Sequence, residues 1–299
     1  MLAVFTIPKP FEGHIGIIQR NALESWIRLR PECQVLVCGN EAGAAETAAE
    51  LGVEHVAGVE RNEFGTPLLD STFAAVEARA RRPLLCYVNA DILLLSDFVD
   101  AAGRAAGRKP KFLMIGQRWD LDVNEPIDFG RSDWEAALRG RTARAGTLHP
   151  PSGSDYFVYP RGAIGRLPSF AVGRPGWDNW MIYRARRLGW PVVDATASAL
   201  VIHQNHAYGH VTQARDAAWE GPEADRHREL IGSEERIFTI ADATHRLTPE
   251  GLRVALGPRR IRRRIRTFMI LSPLLRRVRA ALRGARSPAR LPRERSESD

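Results

Sequence analysis

The stretch Leu84-Leu85-Cys86-Tyr87-Val88-Asn89-Ala90-Asp91-Ile92-Leu93-Leu94-Leu95 is an apolar run broken at its centre by an amide and a carboxylate. Residues 84–88 are apolar at successive positions, which predicts a strand buried on both faces. It ends abruptly at Asn89 and Asp91, and strand alternation puts these two side chains on one side. Two oxygen-bearing side chains at the carboxyl end of a buried strand can hold a hard divalent cation such as Mg2+ or Mn2+. They can equally serve the backbone, with Asp91 capping the turn and Asn89 satisfying peptide groups.

Upstream of this stretch, strand and helix signals alternate. Apolar runs at Leu2–Ile7, Val35–Cys38 and Val53–Val56 read as strands, and Phe112–Gly116 continues the series downstream. Between them, 15–29, 42–51 and 67–80 carry helical spacing, with Thr66 as the expected N-cap of the last and Pro67 at its first position. Strands apolar on both faces and separated by helices predict an α/β fold with a mostly parallel central sheet. In such sheets ligands bind outside the carboxyl ends of the strands. Beyond Gly116 the alternation degrades into loops, a short helix at 133–138, a strand at 156–159, a helix at 178–188 and a late strand at 199–203.

With 299 residues and 44% apolar content the chain can bury a real core, so global disorder is excluded. No apolar run reaches the length of about 20 residues that spans a bilayer. The start, Met1-Leu2-Ala3-Val4-Phe5-Thr6, reads as a first strand rather than a secretory signal. Three widely spaced cysteines (Cys33, Cys38, Cys86) fit a reducing compartment and point to the cytoplasm. The net charge of +8 is unevenly spread: residues 259–299 hold 14 Arg against three acids, or +11, which leaves −3 for 1–258. A mildly acidic body argues against nucleic acid as the partner.

Two further segments can carry chemistry. Gly173-Arg174-Pro175-Gly176-Trp177-Asp178-Asn179-Trp180 is a Gly/Pro-rich loop running into a helix, with Asp178 as its N-cap or first residue. Backbone N–H groups there hold a carboxylate ionised. Beside aromatic walls it suits a general base or an anchor for sugar hydroxyls, or it is an ordinary cap with Trp177 and Trp180 in the core. Val201-Ile202-His203-Gln204-Asn205-His206-Ala207-Tyr208-Gly209-His210 places three of the chain's eight histidines after a strand. One of them can complete a metal site begun by Asp91, and others can be structural. Turns at Thr6-Ile7-Pro8, Gly39-Asn40-Glu41 and Gly65-Thr66-Pro67 lie at the same sheet edge, where they can surround a nucleotide. Asp155 either meets a hydroxylated substrate or caps its turn, and Asp120 and Asp122 read as solvated or loop-ordering.

Taken together these residues resemble the nucleotide-diphospho-sugar glycosyltransferases of GT-A fold. Thr6-Ile7-Pro8, the helix containing Gln19–Trp26 and Gly39-Asn40-Glu41 look like that family's nucleotide-binding half. Asn89-Ala90-Asp91 looks like its Asp-x-Asp motif with the first carboxylate replaced by Asn. Residues 153–160, 173–180 and 203–210 look like the acceptor half of bacterial polysaccharide and surface-glycan members.

The resemblance implies a Rossmann-type sandwich over 1–256, divided into a nucleotide-binding half (1–116) and an acceptor half (117–256). It implies transfer of a sugar from a nucleotide-diphosphate sugar donor to a glycan or lipid-linked hydroxyl acceptor. Asp91 would bind Mn2+ or Mg2+ at the diphosphate, with His203 or His206 as a further ligand. Thr6, Pro8, Glu41, Gly65 and Thr66 would line the nucleotide, joined by Arg20 and by Asn89 through water or the ribose. Asp178 would be the base in an inverting reaction, with Asp155, Trp177 and Asn179 toward the acceptor.

Residues 257–283 form a separate basic segment with Ile261, Ile265, Phe268 and Met269 on one helical face, followed by a second helix from Pro273. This pattern fits an anionic membrane surface, and hence peripheral placement on the inner face of the membrane. The last stretch, 284–299, reads as a disordered tail. Two other functions are compatible with the residues. One is a noncatalytic sugar- or nucleotide-binding protein of the same fold; the other is a metal-dependent hydrolase built on His203, His206 and His210.

Overall fold

In the computed structural model, which describes residues 1–206, 220–272 and Leu275, strand β1 (Leu2–Thr6) is buried along its whole length. Leu2 and Val4 enter one core, and Ala3 and Phe5 enter another on the opposite face. That two-sided burial is what a continuous apolar strand requires. Parallel neighbours β2 (Gln34–Cys38), β3 (Glu54–Val56) and β4 (Leu84–Val88) complete the unit in the order β4-β1-β2-β3. Helices α1 (Gly13–Ile27), α2 (Ala44–Leu51) and α3 (Leu69–Arg79) connect these strands.

The sheet continues past β4 through β9 (Tyr156–Pro160), which runs antiparallel to both β4 and β6 (Leu113–Ile115). Beyond β6 come β10 (Val192–Asp194) and the hairpin β12 (His245–Thr248)–β13 (Gly251–Val254), giving nine strands. The antiparallel β9 matters for the site. It starts where β4 ends, so Val88 faces Tyr156 and the Asn89 N–H donates to the Asp155 carbonyl at 2.9 Å.

A smaller sheet, β5 (Ile92–Leu94), β11 (Val201–Gln204), β7 (Trp119–Leu121) and β8 (Thr147–Leu148), stands beside that edge. Trp26, fully buried, donates its indole N–H to the Ile92 carbonyl at 2.9 Å and fastens β5 to α1. The remaining helices are α4 (Ser96–Ala106), α5 (Trp134–Ala145), α6 (Trp177–Arg187), α7 (Pro222–Ile231) and α8 (Pro258–Leu271).

Several boundaries differ from the sequence reading. Helix α3 begins at Leu69, not Pro67, and Thr66 is not its cap. The Asn62 side chain accepts the Phe64 and Thr66 N–H groups, and Asn62 donates its own N–H to the Thr66 carbonyl, so 62–66 closes into a turn of its own. Helix α5 runs about two turns past the expected 133–138. The hairpin β12–β13 and helix α7 were not expected from the sequence at all. Tyr208, His210, the second tail helix from Pro273 and the tail 284–299 lie outside the described residues. Among the described residues, no helix is long and apolar enough to cross a membrane.

Candidate metal and nucleotide site

Asp91 leaves the turn after β4 and meets two imidazoles. His206 Nε2 lies 3.1 Å and His203 Nε2 3.5 Å from Asp91 Oδ2. The small sheet explains this convergence. On β11, His203 pairs with Ile92 on one side and with Asp120 of β7 on the other. Cross-strand partners share a face, so His203 is delivered beside Asp120, and Asp91, one residue before Ile92, meets it from the turn. Its Nδ1 stands 3.3 Å from Asp120 Oδ1. Below, Gln204 fixes the Asp91 backbone: its N–H and side-chain amide both donate to the Asp91 carbonyl, at 3.1 and 3.2 Å.

Burial works against charge on Asp91, but the hydrogen bonds and charges of His203 and His206 outweigh it and hold the carboxyl far below the usual range. For His203 burial again opposes the cation, and Asp91 reverses the balance and raises its pKa. Ligand atoms of Asp91, His203 and His206 all lie within 4.8 Å of one another. Asp91 Oδ1 is buried and has no hydrogen-bond partner among the described residues. A carboxylate with one oxygen on two imidazole nitrogens and its other oxygen buried without a donor fits a bound divalent cation.

Asn89 takes a different role from Asp91. Its amide donates to Asp155 Oδ1 at 2.8 Å. Arg118 grips the same carboxylate through both oxygens at 2.7 Å and donates to Asp120 Oδ1 at 2.8 Å. His149 Nδ1 completes the Asp120 environment, 2.8 Å from Oδ2. Burial raises the Asp120 carboxyl, but His149 and Arg118 exceed it and the pKa falls. Asp120 is therefore part of the site, contrary to its sequence reading as a loop residue. Asp122 does order a loop, accepting from the Asn205 amide at 2.8 Å. The region after Gly116 reads as loop in the sequence, so β7 was missed, and nothing in the sequence identifies β11 as its partner.

Asp178 lies in the first turn of α6, whose N-cap is Gly176 in the left-handed region (φ 95°), so Asp178 is one residue inside the helix rather than its cap or first residue. It is half-buried, under Gly153: a Cβ at that glycine would overlap Asp178 Oδ2. Burial pushes its carboxyl up to about 6; nearby N–H groups partly oppose this, and the Asp155 charge adds to it. Asp155 also acts on His203. It thus lies electrostatically between the metal-type cluster and Asp178.

The other expected site residues separate into two groups. Trp177 is in the core, edge-on to Tyr87 at 4.9 Å and against Phe157. Asn179 is buried and spends its amide on the Ser152 and Phe238 carbonyls, both at 2.7 Å, anchoring the loop before β9. Arg20 pairs with Glu50 of α2 at 2.5 Å on an exposed helix surface. These three hold structure. At the carboxyl edge of β1–β3 stand Thr6, buried with an unpartnered hydroxyl, and buried Pro8. Glu41 pairs with Arg61 at 2.9 Å, and Arg61 donates to the Gly65 carbonyl at 2.7 Å. Glu223 of α7 joins this edge, accepting from Asn62 at 2.6 Å and from Arg174 Nε at 2.9 Å.

No protein-family model and no curated protein matches the chain. Solved structures do. The crystal structure of GalNAc-T7 with UDP, GalNAc and Mn2+ superposes with a TM-score of 0.50 at 13% identity, covering 77% of this chain and 48% of that one. This chain thus spans less than half the length of that neighbour. M. tuberculosis glucosyl-3-phosphoglycerate synthase matches with a TM-score of 0.46 at 17% identity, over 79% of this chain and 80% of that one. S. aureus TarS 1-349 in complex with UDP-GlcNAc matches with a TM-score of 0.48 at 11% identity, over 78% and 67%. The fold of this chain is that of the GT-A nucleotide-sugar glycosyltransferases.

Proposed function

We propose that the protein is a metal-dependent glycosyltransferase that moves a sugar from a nucleotide-diphosphate sugar to a hydroxyl acceptor. The observation that carries this reading is the convergence of Asp91, His203 and His206 at the carboxyl edge of β4, coupled through Asp155 to a half-buried Asp178. Asp91, His203 and His206 would hold the cation, and two imidazoles with one carboxylate suit Mn2+ better than Mg2+. When bound, the ion neutralises the charge that develops on the leaving nucleoside diphosphate.

The chain's own residues supply the rest. Thr6, Pro8, Glu41, Gly65 and Thr66 line the nucleotide edge. Arg118 holds Asp155 and Asp120 in fixed positions, and Asn89 steadies Asp155. In an inverting reaction the acceptor oxygen bonds to the anomeric carbon as the bond to the diphosphate oxygen breaks, and Asp178 takes the acceptor's proton. A base with its pKa near 6 is ionised at neutral pH and still accepts a proton readily. A glycan or lipid-linked acceptor in surface-glycan synthesis, cytoplasmic placement and contact with an anionic membrane through 259–283 belong to the same reading.

The test is calorimetric titration of UDP, GDP, CDP and dTDP, each with Mn2+ and with EDTA. Binding of one nucleotide that EDTA removes, and that Asp91→Ala abolishes, is the expected result. Absence of binding by all four in folded protein refutes the reading.

A further inference from the structure

Helix α8 is mounted with its main apolar stripe facing away from the body. Arg260 and Arg263 dock it, at 2.9 Å from Asp194 Oδ2 and 2.6 Å from Asp242 Oδ2, with Thr267 and Ile270 buried beside them. The opposite face presents Ile261, Ile265 (60% exposed), Phe268 (65% exposed) and Met269. Arg262 and Arg266 are exposed on one flank of that stripe and Arg264 stands on the other, and among the described residues none of the three has an acid within ion-pair distance. A docked helix normally buries its apolar face. Here arginines and a threonine make the contact and large apolar side chains are left in water, which marks an interaction surface.

A cationic concavity adjoins this helix. The hairpin β12–β13 and the turn after α4 flank an open surface concavity of about 430 Å3 lined by Arg108, Lys109, His245 and Arg253, with Val254 at its wall and Glu250 as its one acid. Arg104 braces the hairpin by donating to the Thr248 and Pro249 carbonyls. Exposed Val254 leads through exposed Leu256 directly into α8. Lys109 and Arg264 both act electrostatically on His245, which lines the concavity.

We infer that this combined face docks on an anionic phospholipid bilayer, with lipid headgroup phosphates in the Arg108–Lys109–Arg253 cavity and the Ile261–Ile265–Phe268 stripe among the acyl chains. The charge selects an anionic partner, and the exposed aliphatic and aromatic side chains select one with an apolar interior. Nucleic acid offers the first property without the second. This deepens the membrane contact proposed above and rests on that contact, but not on the identity of the donor.

The experiment is co-sedimentation of the full chain with vesicles of phosphatidylcholine alone and of equal parts phosphatidylcholine and phosphatidylglycerol. Wild type binds only the anionic vesicles, and more weakly as salt rises. Each basic side chain near such a surface is worth about fivefold in partition, so Arg108→Ala/Arg253→Ala weakens binding about 25-fold. Both arginines are exposed, so the variant keeps its melting temperature. Ile265→Ser/Phe268→Ser abolishes sedimentation. Wild-type affinity in the Arg108→Ala/Arg253→Ala variant overturns the headgroup site and leaves the membrane contact standing. No binding by wild type overturns both. Equal affinity for single-stranded RNA, unchanged by Ile265→Ser/Phe268→Ser, also overturns the inference. Nucleotide titrations on the same variants report separately on the transferase reading.

Discussion

Asp178 offers a direct test of how the site is built. An unhindered aspartate titrates near about 3.9, and burial under Gly153 pushes Asp178 up to about 6. The folded protein therefore keeps this proton in a pH window where the unfolded chain has lost it. Stability then falls as pH rises through that window, because ionising the buried group costs more than ionising it in water. A displacement of about two pH units corresponds to at most about 3 kcal/mol.

Asp178→Asn cannot titrate, so the difference in unfolding free energy between variant and wild type isolates the effect. Below pH 4 the difference should be constant. Between pH 4 and pH 6.5 it should move by up to about 3 kcal/mol in favour of Asp178→Asn, then level off. Urea denaturation at half-unit intervals of pH measures it. The opposite trends of Asp91 and Asp120, whose carboxyls are lowered, are present in both proteins and cancel. A difference that stays flat across the window, or changes with the opposite sign, refutes the placement of Asp178 in a desolvated position. Turnover, if Asp178 is the base, rises through the same pH range.

Three further outcomes follow from particular contacts. Asp120→Asn removes the carboxylate that faces His203 Nδ1, and Mn2+ affinity measured by the EPR signal of the free ion should fall about 10- to 100-fold. Gly153→Ala places a methyl group where Asp178 Oδ2 sits, and turnover should drop about 100-fold while Mn2+ affinity is unchanged. Trp26→Phe leaves the Ile92 carbonyl without its donor, and chemical denaturation should show a loss of about 1–3 kcal/mol.

The parallel half of the fold was legible because its three central strands are apolar at nearly every position. Leu2–Thr6, Gln34–Cys38 and Leu84–Val88 are each buried throughout, and nothing but a strand covered on both faces explains such runs. The second half was less legible for a physical reason. Strands β7 and β10 have three residues each, too few for a period to show. The hairpin β12–β13 is half exposed, and its sequence, His245-Arg246-Leu247-Thr248, reads like any surface segment. Asp91, His203 and His206 could be paired from the sequence by chemistry, since they are metal-ligating types at the ends of apolar runs. Asp120 could not, because its importance comes wholly from lying opposite His203 across β7 and β11.

Asn89 brings no charge of its own to the site and spends its amide on Asp155, which bears on what the site must bind and in what order. Asp91 is the one carboxylate in the ligand cluster, and the two imidazoles supply the other donors. Around them, Asp120 and Asp155 are both tied to Arg118, and Asp178 adds a further acid when ionised. With His149, His203 and His206 neutral, four carboxylates against one guanidinium make a pocket that repels a diphosphate. A divalent cation reverses that sign locally. Nucleotide should therefore bind after the metal, and its affinity should follow Mn2+ occupancy rather than persist weakly in EDTA. A nucleotide titration whose affinity is the same with and without Mn2+ would mean that the diphosphate lies elsewhere, beyond reach of Asp91.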